Sequence, residues 1–385
     1  MKQIAIVTVS RSDYSIYLPV LKLMHSDPLL SLNVIVGGTH LSPHFGSSAE
    51  SIEQDGFNIS ARVDTLTDSE SPQSITRSMG LAINGFASAY SVIKPDMLVL
   101  VGDRFEMHSA ASAAVPFNIP ISHIHGGEIT EGAIDDALRH SITKLSHLHF
   151  VSTESHAKRV LQMGEEPWRV TLCGAPSLDN LYKLPLLNKS QILERFGISM
   201  DPAPLLITYH PVTLQHDDTE EQTIELLSAI EQSKLPTLFT IPNVDIKGSI
   251  ISTMIQAYTD SHNNSHMIPN FGTEGYFSVM SHCAAMVGNS SSGIIEAASL
   301  KIPVVNVGTR QQGRTRGANV IDVDCNREAI LSGIRYGVSE LFRSTLSDIA
   351  NPYGDGSAAE IVVDKIKNAP PHAILIRKKF NEHLD

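Results

Sequence analysis

Acidic, histidine and arginine residues are concentrated between residues 101 and 149, close behind two short apolar runs. The runs are Met97–Val101 and Pro120–Ile124, and such runs are typical of strands buried on both faces of a parallel sheet. Ligands of such sheets bind beyond the carboxyl ends of the strands. The side chains expected to share a cleft there are Asp103, Arg104, Glu106, His123, His125, Glu128, Asp135 and Asp136. This combination indicates an enzyme that transfers protons beside a phosphate.

Small-residue and basic loops elsewhere are typical of anion sites. Gly288–Glu296 contains three serines between a predicted strand and a helix predicted over Gly293–Leu300. Backbone N–H groups and hydroxyls at such a position bind phosphate, although a simple helix cap has the same sequence. Glu296, about one turn into that helix, is placed to bind a ribose. Loops after other predicted strands contribute Arg11, Asp13, Ser15, His210, Asn243 and Arg310.

Composition and charge limit the possible classes of partner. The chain has 385 residues, 42% of them hydrophobic, and a formal net charge of −12. It is long enough for two domains, and its acidity disfavours nucleic acid and anionic membranes as partners. The three cysteines are scattered, and the first apolar run fits a buried strand better than a signal peptide. A cytoplasmic protein is expected.

Strand-like and helix-like segments alternate along the chain, which indicates right-handed βαβ crossovers. Breakers near Leu184–Asn188 and Asp201–Pro204 separate two series. The predicted fold class is α/β, with two Rossmann-like, doubly wound domains facing a central cleft. The first domain is expected over residues 1–183, completed by residues 358–385, and the second over residues 184–357. Strands are predicted at Ile4–Val9, Leu32–Val36, Met97–Val101, Ile121–His123, Leu148–Ser152, Val170–Cys173, Leu205–Tyr209, Thr237–Ile241, Met286–Gly288 and Pro303–Asn306.

The motifs, taken in order, resemble the hydrolysing UDP-N-acetylglucosamine 2-epimerase family over nearly the whole chain. They are Arg-Ser-Asp-Tyr-Ser at 11–15, Gly-Asp-Arg at 102–104, Gly-Gly-Glu at 126–128, Ile-Asp-Asp at 134–136, Arg-His-Ser-Ile-Thr-Lys at 139–144, His-Pro-Val-Thr at 210–213, Gly-Asn-Ser-Ser at 288–291 and Gly-Thr-Arg-Gln at 308–311. The resemblance implies the GT-B fold and the conversion of UDP-N-acetylglucosamine and water into N-acetylmannosamine and UDP. N-acetylmannosamine is a precursor of sialic and related nonulosonic acids.

The resemblance also implies roles for individual residues. In the second domain, Ser290 and Ser291 would hold the phosphates beside His210 and Arg310, Glu296 would bind the ribose, and Asn243 would line the same site. From the first domain, Arg11, Ser15 and Arg104 would close over the ligand. Asp103 and Asp135 match positions that the family uses in catalysis.

One departure concerns the base that removes the proton at sugar C2. Many relatives have glutamate where this chain has His125, in His-Ile-His-Gly-Gly-Glu. An imidazole titrates near neutral pH and can serve as this base. Glu128 is the other candidate, and both remain open on the sequence. Asp103 and Asp135 are expected to transfer protons when water adds to the glycal intermediate.

Several further expectations follow from the resemblance and the residues. No metal or other cofactor is expected, because the histidines at 123, 125, 140, 147 and 149 lack a zinc-ligand spacing. A homodimer or homotetramer acting on a UDP-sugar is expected. The alternative substrate is UDP-2,4-diacetamido-2,4,6-trideoxyglucose, of the legionaminic acid route. A non-hydrolysing epimerase is another alternative, and the alternatives of other classes are a GT-B glycosyltransferase and a nucleotide-sugar sensor.

Overall fold

A computed structural model describes residues 1–42, 48–65, 71–131, 134–212, 218–240, 248–268 and 271–382. The chain divides into two units. The first unit comprises Met1–Glu128, Ile134–Asp179 and Gly356–Asp385, and the second comprises Ile129–Ala133 and Asn180–Asp355. Among the helices of the described residues, none is long and apolar enough to cross a membrane.

The first unit is built on a parallel sheet with a reversal in strand order. Its described strands are β1 (Lys2–Thr8), β2 (Leu30–Gly37), β3 (Ile59–Val63), β4 (Met97–Val101), β5 (Ile121–Ile124), β6 (Leu148–Val151) and β7 (Val170–Leu172). Their order is β3-β2-β1-β4-β5-β6-β7. The order reverses between β1 and β4, and ligands of doubly wound sheets bind at such a point, beyond the carboxyl ends of the strands.

Helices cover both faces of this sheet, as the alternating sequence pattern requires. They are α1 (Arg11–Ser26), α2 (Ala49–Gln54), α3 (Pro72–Ile93), α4 (Phe105–Ala114), α5 (Ile134–Leu145), α6 (Glu154–Gln162) and, from the C-terminal part, α15 (Ala358–Lys367) and α16 (His372–Leu375). The helix α7 (Ser177–Lys183) contains the boundary between the units. α15 packs against α1, and Val362 and Ile366 join Leu21 in the same apolar core.

The second unit repeats this layout with a sheet of its own. Its described strands are β8 (Leu205–Thr208), β9 (Thr237–Thr240), β10 (Ser265–Ile268), β11 (Ala285–Gly288), β12 (Val304–Val307) and β13 (Val320–Val323). Their order is β10-β9-β8-β11-β12-β13, with the reversal between β8 and β11. Its helices are α8 (Lys189–Phe196), α9 (Thr219–Ser233), α10 (Gly248–Ser261), α11 (Gly272–His282), α12 (Ser291–Ile295), α13 (Arg327–Gly337) and α14 (Glu340–Ser344).

Two Rossmann-like, doubly wound α/β units are therefore confirmed, and each of the ten predicted strands overlaps an observed one. Ile241, the predicted end of one strand, lies outside the described residues. The helix predicted over Gly293–Leu300 was placed too late, because α12 begins at Ser291 and ends at Ile295. Tight i→i+3 bonds replace helical ones from Ser299 to Lys301, and Lys301 has a left-handed backbone (φ 57°). The chain turns there to enter β12.

Candidate active site

The loop that follows β5 places His125 at a bend in the backbone. The N–H of His125 still extends the sheet by donating to the Phe150 carbonyl at 3.0 Å. The residue itself has φ 65°, a left-handed conformation that L side chains seldom adopt. Gly127 also has a positive φ, and a Cβ there would lie 2.6 Å from the His156 carbonyl oxygen. Strain of this kind is concentrated at functional sites.

His125 and Glu128 form a buried pair across this turn. His125 Nδ1 lies 2.6 Å from Glu128 Oε1 and 3.0 Å from the Ser152 hydroxyl at the end of β6. An ionised carboxylate only accepts hydrogen bonds, so Nδ1 carries the proton and Nε2 keeps its lone pair. Nε2 makes no hydrogen bond to any described residue. The geometry makes His125 a base whose ring is oriented by Glu128.

A buried arginine holds Asp103 at the end of β4. Arg139 on α5 donates from its guanidinium to Asp103 Oδ2, and its other amino group lies 3.9 Å from Asp136. His123 Nε2 lies 2.8 Å from the Gly102 carbonyl and thereby fixes the loop that carries Asp103. Burial lowers the pKa of His123 to about 3, so this ring is neutral and structural. Asp103 is therefore a fixed carboxylate beside β5.

The remaining catalytic candidate, Asp135, lies in the first turn of α5 and is partly exposed. Its neighbour Asp136 lies 3.5 Å from His140 Nε2 and faces Arg139, so Asp136 is engaged in ion pairs along the helix. Asp135 interacts electrostatically with Glu106 of α4. Asp135 therefore lies near α4, at the carboxyl ends of the strands of the same sheet.

The switch point between β1 and β4 gathers the cationic candidates of the first unit. Ser10 caps α1 by accepting from the Asp13 N–H, and Arg11 and Ser15 lie exposed and partly exposed in the first turns of that helix. Arg104 precedes α4, and its Nε lies 3.7 Å from Asp13 Oδ1. Burial raises the pKa of Asp13, and Arg104 opposes the shift.

In the second unit, one buried asparagine joins the two loops at the switch point. Gly288 ends β11 with φ 134°, and a Cβ there would overlap the Thr208 carbonyl oxygen of β8. This close approach lets Asn289 accept from the His210 N–H at 2.7 Å and donate to its carbonyl at 2.8 Å. His210 is thereby fixed against β11.

Arg310 completes this cluster from the loop after β12. Arg310 and Gln311 both donate to the Asn289 carbonyl, at 3.1 and 2.8 Å. Burial and, to a smaller extent, the charge of Arg310 lower the pKa of His210 to about 3. A neutral imidazole beside a guanidinium, at the carboxyl ends of two strands, is suited to an anionic ligand.

The serines and Glu296 lie on the short helix that follows. Ser290 caps α12 by accepting from the Ser292 N–H, Ser291 is its first residue, and Glu296 ends it, largely buried. Tyr276 of α11 lies close to Ser292, Thr208 and Glu296. Burial raises the pKa of Tyr276 to about 12, so its hydroxyl stays protonated.

Sequence reasoning missed Ser152, Asn289 and Tyr276. These residues contact or adjoin candidate residues and are not themselves candidates for proton transfer or phosphate binding. Asn289 stands inside a motif and could have been singled out there. Two motif positions, Asn243 and Thr213, lie outside the described residues. Over the described part of the chain, no group of three or more histidine, cysteine, aspartate or glutamate side chains is arranged to hold a metal ion.

Comparisons with known proteins cover nearly the whole chain. Residues 22–367 match the family model described as UDP-N-acetylglucosamine 2-epimerase. A Campylobacter jejuni protein named GDP/UDP-N,N'-diacetylbacillosamine 2-epimerase (hydrolyzing) is 40% identical over 84% of this chain and 85% of its own length. A Legionella pneumophila UDP-N,N'-diacetylbacillosamine 2-epimerase (hydrolyzing) is 35% identical, over 98% of this chain and 99% of its own.

A solved structure with the same fold has also been found for a protein of more distant sequence. It is that of Neisseria meningitidis UDP-GlcNAc 2-epimerase bound to UDP-GlcNAc, with a TM-score of 0.81 and 20% sequence identity. The match covers 95% of this chain and 99% of the other. The GT-B-like fold class is thereby confirmed.

Proposed function

This chain belongs to the family of hydrolysing UDP-N-acetylglucosamine 2-epimerases, and we propose that it splits a UDP-linked N-acetylamino sugar while inverting its C2. The observation that carries the proposal is the buried pair of His125 and Glu128, 2.6 Å apart. A sugar C–H bond is weakly acidic, so its cleavage needs a well-oriented base. The pair supplies one in the unit that also holds Asp103 and Asp135.

We assign the first step to His125. Its Nε2 takes the proton from sugar C2, the C2–H electron pair becomes the C1=C2 double bond, and the C1–O bond to UDP breaks. The products of this step are a glycal, UDP and a protonated imidazole. Glu128 stabilises that imidazolium through Nδ1, as the carboxylate of a catalytic triad does. This choice between His125 and Glu128 gives each residue a separate role.

Departure of UDP needs stabilisation of its developing negative charge. We propose that Ser290, Ser291, His210 and Arg310 of the second unit bind the diphosphate. In the first unit, Arg11, Ser15 and Arg104 are proposed as substrate-binding residues. Hydroxyls, N–H groups and guanidinium groups that are fixed before the reaction stabilise this charge without reorganisation. The bonds from Asn289 and Gln311 support that rigidity in the second unit. Glu296 is assigned to the ribose and Asn243 to the same nucleotide site.

The second step is hydration of the glycal. Water adds its oxygen to C1 and gives up a proton to one carboxylate, while the other carboxyl group, in its protonated form, delivers a proton to C2. The C1=C2 π electrons form the new C2–H bond on the face opposite to the one deprotonated, and the imidazolium of His125 returns its proton to solvent. We assign these proton transfers to Asp103 and Asp135, because both carboxyl groups lie at the carboxyl ends of the strands, as His125 does. The sum of both steps is hydrolysis with inversion at C2, and it uses no cofactor or metal.

We propose UDP-2,4-diacetamido-2,4,6-trideoxyglucose, which is UDP-N,N'-diacetylbacillosamine, as the preferred substrate. Both relatives described above, at 40% and 35% identity, are named for this sugar. UDP-N-acetylglucosamine, the first expectation from the motifs, is the second candidate, because the family model is named for it. The two sugars differ at C4 and C6, so one assay separates them.

The assay measures UDP release by the purified full-length chain from each UDP-sugar. The proposal expects kcat/KM at least about tenfold higher for the diacetamido sugar, the usual effect of one or two extra polar contacts. A higher kcat/KM for UDP-N-acetylglucosamine would make that sugar the preferred substrate instead. A UDP-linked epimer as product would indicate the non-hydrolysing reaction. Binding of the UDP-sugar without turnover would favour a nucleotide-sugar sensor. Turnover that requires an added acceptor would favour a GT-B glycosyltransferase.

We also propose that the enzyme acts in the cytoplasm as a homodimer or homotetramer. The proposal on assembly rests on the family, and light scattering on the purified chain tests it. A single monomeric species at assay concentrations would contradict it.

A further inference from the structure

Arg159 is a half-buried arginine on α6 to which the reaction above gives no role. Its Nη1 donates a hydrogen bond to the Gly127 carbonyl, 32 positions earlier in the chain. That carbonyl belongs to the peptide group that joins Gly127 to Glu128. The guanidinium is therefore attached to the turn that holds His125 and Glu128, within the same unit.

The helix α6 lies so close to this turn that position 127 has room for glycine only. A Cβ at Gly127 would lie 2.6 Å from the His156 carbonyl oxygen and 2.8 Å from Val160 Cγ2, and both residues belong to α6. Ser152, two residues before this helix, lies 3.0 Å from His125 Nδ1. Close packing of this kind keeps a cation on α6 beside the turn.

The charge of Arg159 acts on the carboxylate that orients the base. Burial lowers the pKa of Arg159, and Asp136 and Glu128 oppose that shift, so both carboxylates are within electrostatic reach of the guanidinium. Arginine stays protonated in proteins, so this positive charge is present at every working pH. A positive charge beside a carboxylate favours its ionised form. Glu128 therefore remains an acceptor for Nδ1–H of His125, which leaves the lone pair of Nε2 for the sugar.

Other titratable groups near the guanidinium do not replace its charge. Asp136 lies on α5, 3.9 Å from Arg139 Nη1 and 3.5 Å from His140 Nε2. Burial lowers the pKa of His140, and it lowers the pKa of His123 on β5 to about 3. Both imidazoles are therefore neutral near pH 7. The cation that α6 presents to the turn is Arg159.

We propose that Arg159 is a positioning residue for the base: it holds the turn through the Gly127 carbonyl and keeps the histidine–glutamate pair in the charge state that can take a proton. This inference rests on the proposed function, in which His125 removes the proton at sugar C2. A positive charge near the pair opposes protonation of the imidazole before the substrate arrives. Loss of that charge lets the pair take up a proton at higher pH, and a protonated ring cannot act as a base.

The test compares the pH profiles of kcat/KM for the wild type, Arg159→Gln and Arg159→Lys, since this ratio reports the free enzyme. The substrate is whichever of the two UDP-sugars the wild type prefers. Glutamine removes the charge, whereas lysine keeps it without the planar guanidinium. We expect the acidic limb of Arg159→Gln to move to higher pH by at least about half a pH unit, and that of Arg159→Lys to stay at the wild-type pH. The loss at pH 6 should appear in kcat, with KM near its wild-type value.

Lys158→Gln is the matched control, because Lys158 is the exposed neighbour on the same helix and the substitution removes the same charge. It should keep the wild-type profile. An unshifted acidic limb in Arg159→Gln would overturn the inference, as would an equal shift in Lys158→Gln. Absence of turnover by the wild type with either UDP-sugar would instead overturn the proposed function. If Arg159→Gln does not fold, Arg159→Met removes the same charge and poses the same question.

Discussion

Nδ1 of His125 is committed to Glu128, and this single contact determines which nitrogen of the ring can accept a proton. The backbone at His125 is left-handed, and Gly127 allows the turn to close against His156. A residue held in an unfavourable conformation keeps its side chain in one orientation only when the surroundings over-determine it. Ser152 and Glu128 provide those surroundings.

Substitution of the pair should separate the base from the residue that orients it. His125→Gln is expected to lower kcat at least about a hundredfold, the usual contribution of a general base. Glu128→Gln should lower kcat about tenfold to a hundredfold, because it accepts less well from Nδ1–H and carries no charge for the imidazolium. Steady-state UDP release is the measurement.

The control for this pair is His372→Gln on α16, where the ring lies 2.8 Å from the Asn118 carbonyl before β5. It should retain wild-type kcat. A Glu128→Gln variant more damaged than His125→Gln would assign the base to Glu128 instead.

Glu106 should make stability depend on pH. The folded protein keeps its proton up to about pH 7, whereas a glutamate in the unfolded chain releases it near the ordinary pKa of 4.5. Between these values the folded state binds more protons, so the free energy of unfolding falls as pH rises. The stability of Glu106→Gln relative to wild type should increase by about 3 kcal/mol from pH 5 to pH 8. Urea denaturation of both proteins measures this, and parallel changes would contradict it.

For individual residues, the sequence identifies the types of the candidate side chains but not the partners that hold them. His125, Glu128 and Asp103 could be named from their position after apolar runs. That Arg139 pairs with Asp103, or that Ser152 reaches His125, depends on residues 36 and 27 positions apart. Such contacts are set by strand order and helix packing, which no local pattern contains.

Among the elements, the strand pairs β1–β4 and β8–β11, with the adjacent strands β5 and β12, position most of the candidate residues. Each pair marks the reversal of strand order in its sheet. Loops on either side of such a reversal diverge to opposite faces and leave room for a ligand. Three of the predicted anion loops follow β1, β8 and β11, and the loop that carries Arg310 follows β12. The alternating pattern of the sequence was therefore sufficient to place these loops after strands.

Three strands at sheet edges, β3, β10 and β13, were not predicted. Their residues are mostly partly exposed, as in Ile59–Val63, where only Val63 is buried. An edge strand packs fewer side chains in the core, so it lacks the continuous apolar run that marks β4 or β12. Pairing with a neighbour, rather than local composition, stabilises these strands.

Asn289 should be the structural link of the second-unit site. Asn289→Ala removes two hydrogen bonds and leaves the buried N–H and carbonyl of His210 without them. We expect the free energy of unfolding to fall by about 2–3 kcal/mol and UDP to bind at least about tenfold more weakly. Calorimetry at a temperature where the variant remains folded measures the affinity.

Asn319→Ala is the matched control, because Asn319 is equally buried and donates to the Ile302 carbonyl before β12. It should lose stability without losing affinity for UDP. Equal loss of affinity in both variants would show that the effect comes from general destabilisation.

For the whole molecule, the C-terminal segment is part of the first unit and not an appendage. Arg169, 1% exposed, donates to the carbonyls of Leu375 and Arg377 at 2.9 Å each, and to His147 at 3.1 Å. Lys378 reaches the buried Glu165 at 2.8 Å. The sequence predicts that residues 358–385 complete the first domain, but no local pattern contains the buried charges of Arg169 and Glu165 that hold this segment.

Arg169→Ala should loosen this attachment. Three carbonyl oxygens lose a buried donor, so we expect the free energy of unfolding to fall by about 3 kcal/mol. Amide hydrogen exchange over residues 372–382 should quicken more than in the rest of the unit. The control is Arg377→Ala, whose exposed side chain takes no part in these bonds. Equal exchange in both variants would contradict the prediction.

Turnover of UDP-2,4-diacetamido-2,4,6-trideoxyglucose in D₂O, followed by proton NMR, shows directly whether the C2 proton is abstracted. We expect UDP and a free sugar with inverted C2 and one deuterium at that carbon, because the C2 proton is lost to His125 and replaced from solvent. A free sugar that keeps its original proton at C2 would contradict proton abstraction, and with it the role assigned to the pair of His125 and Glu128.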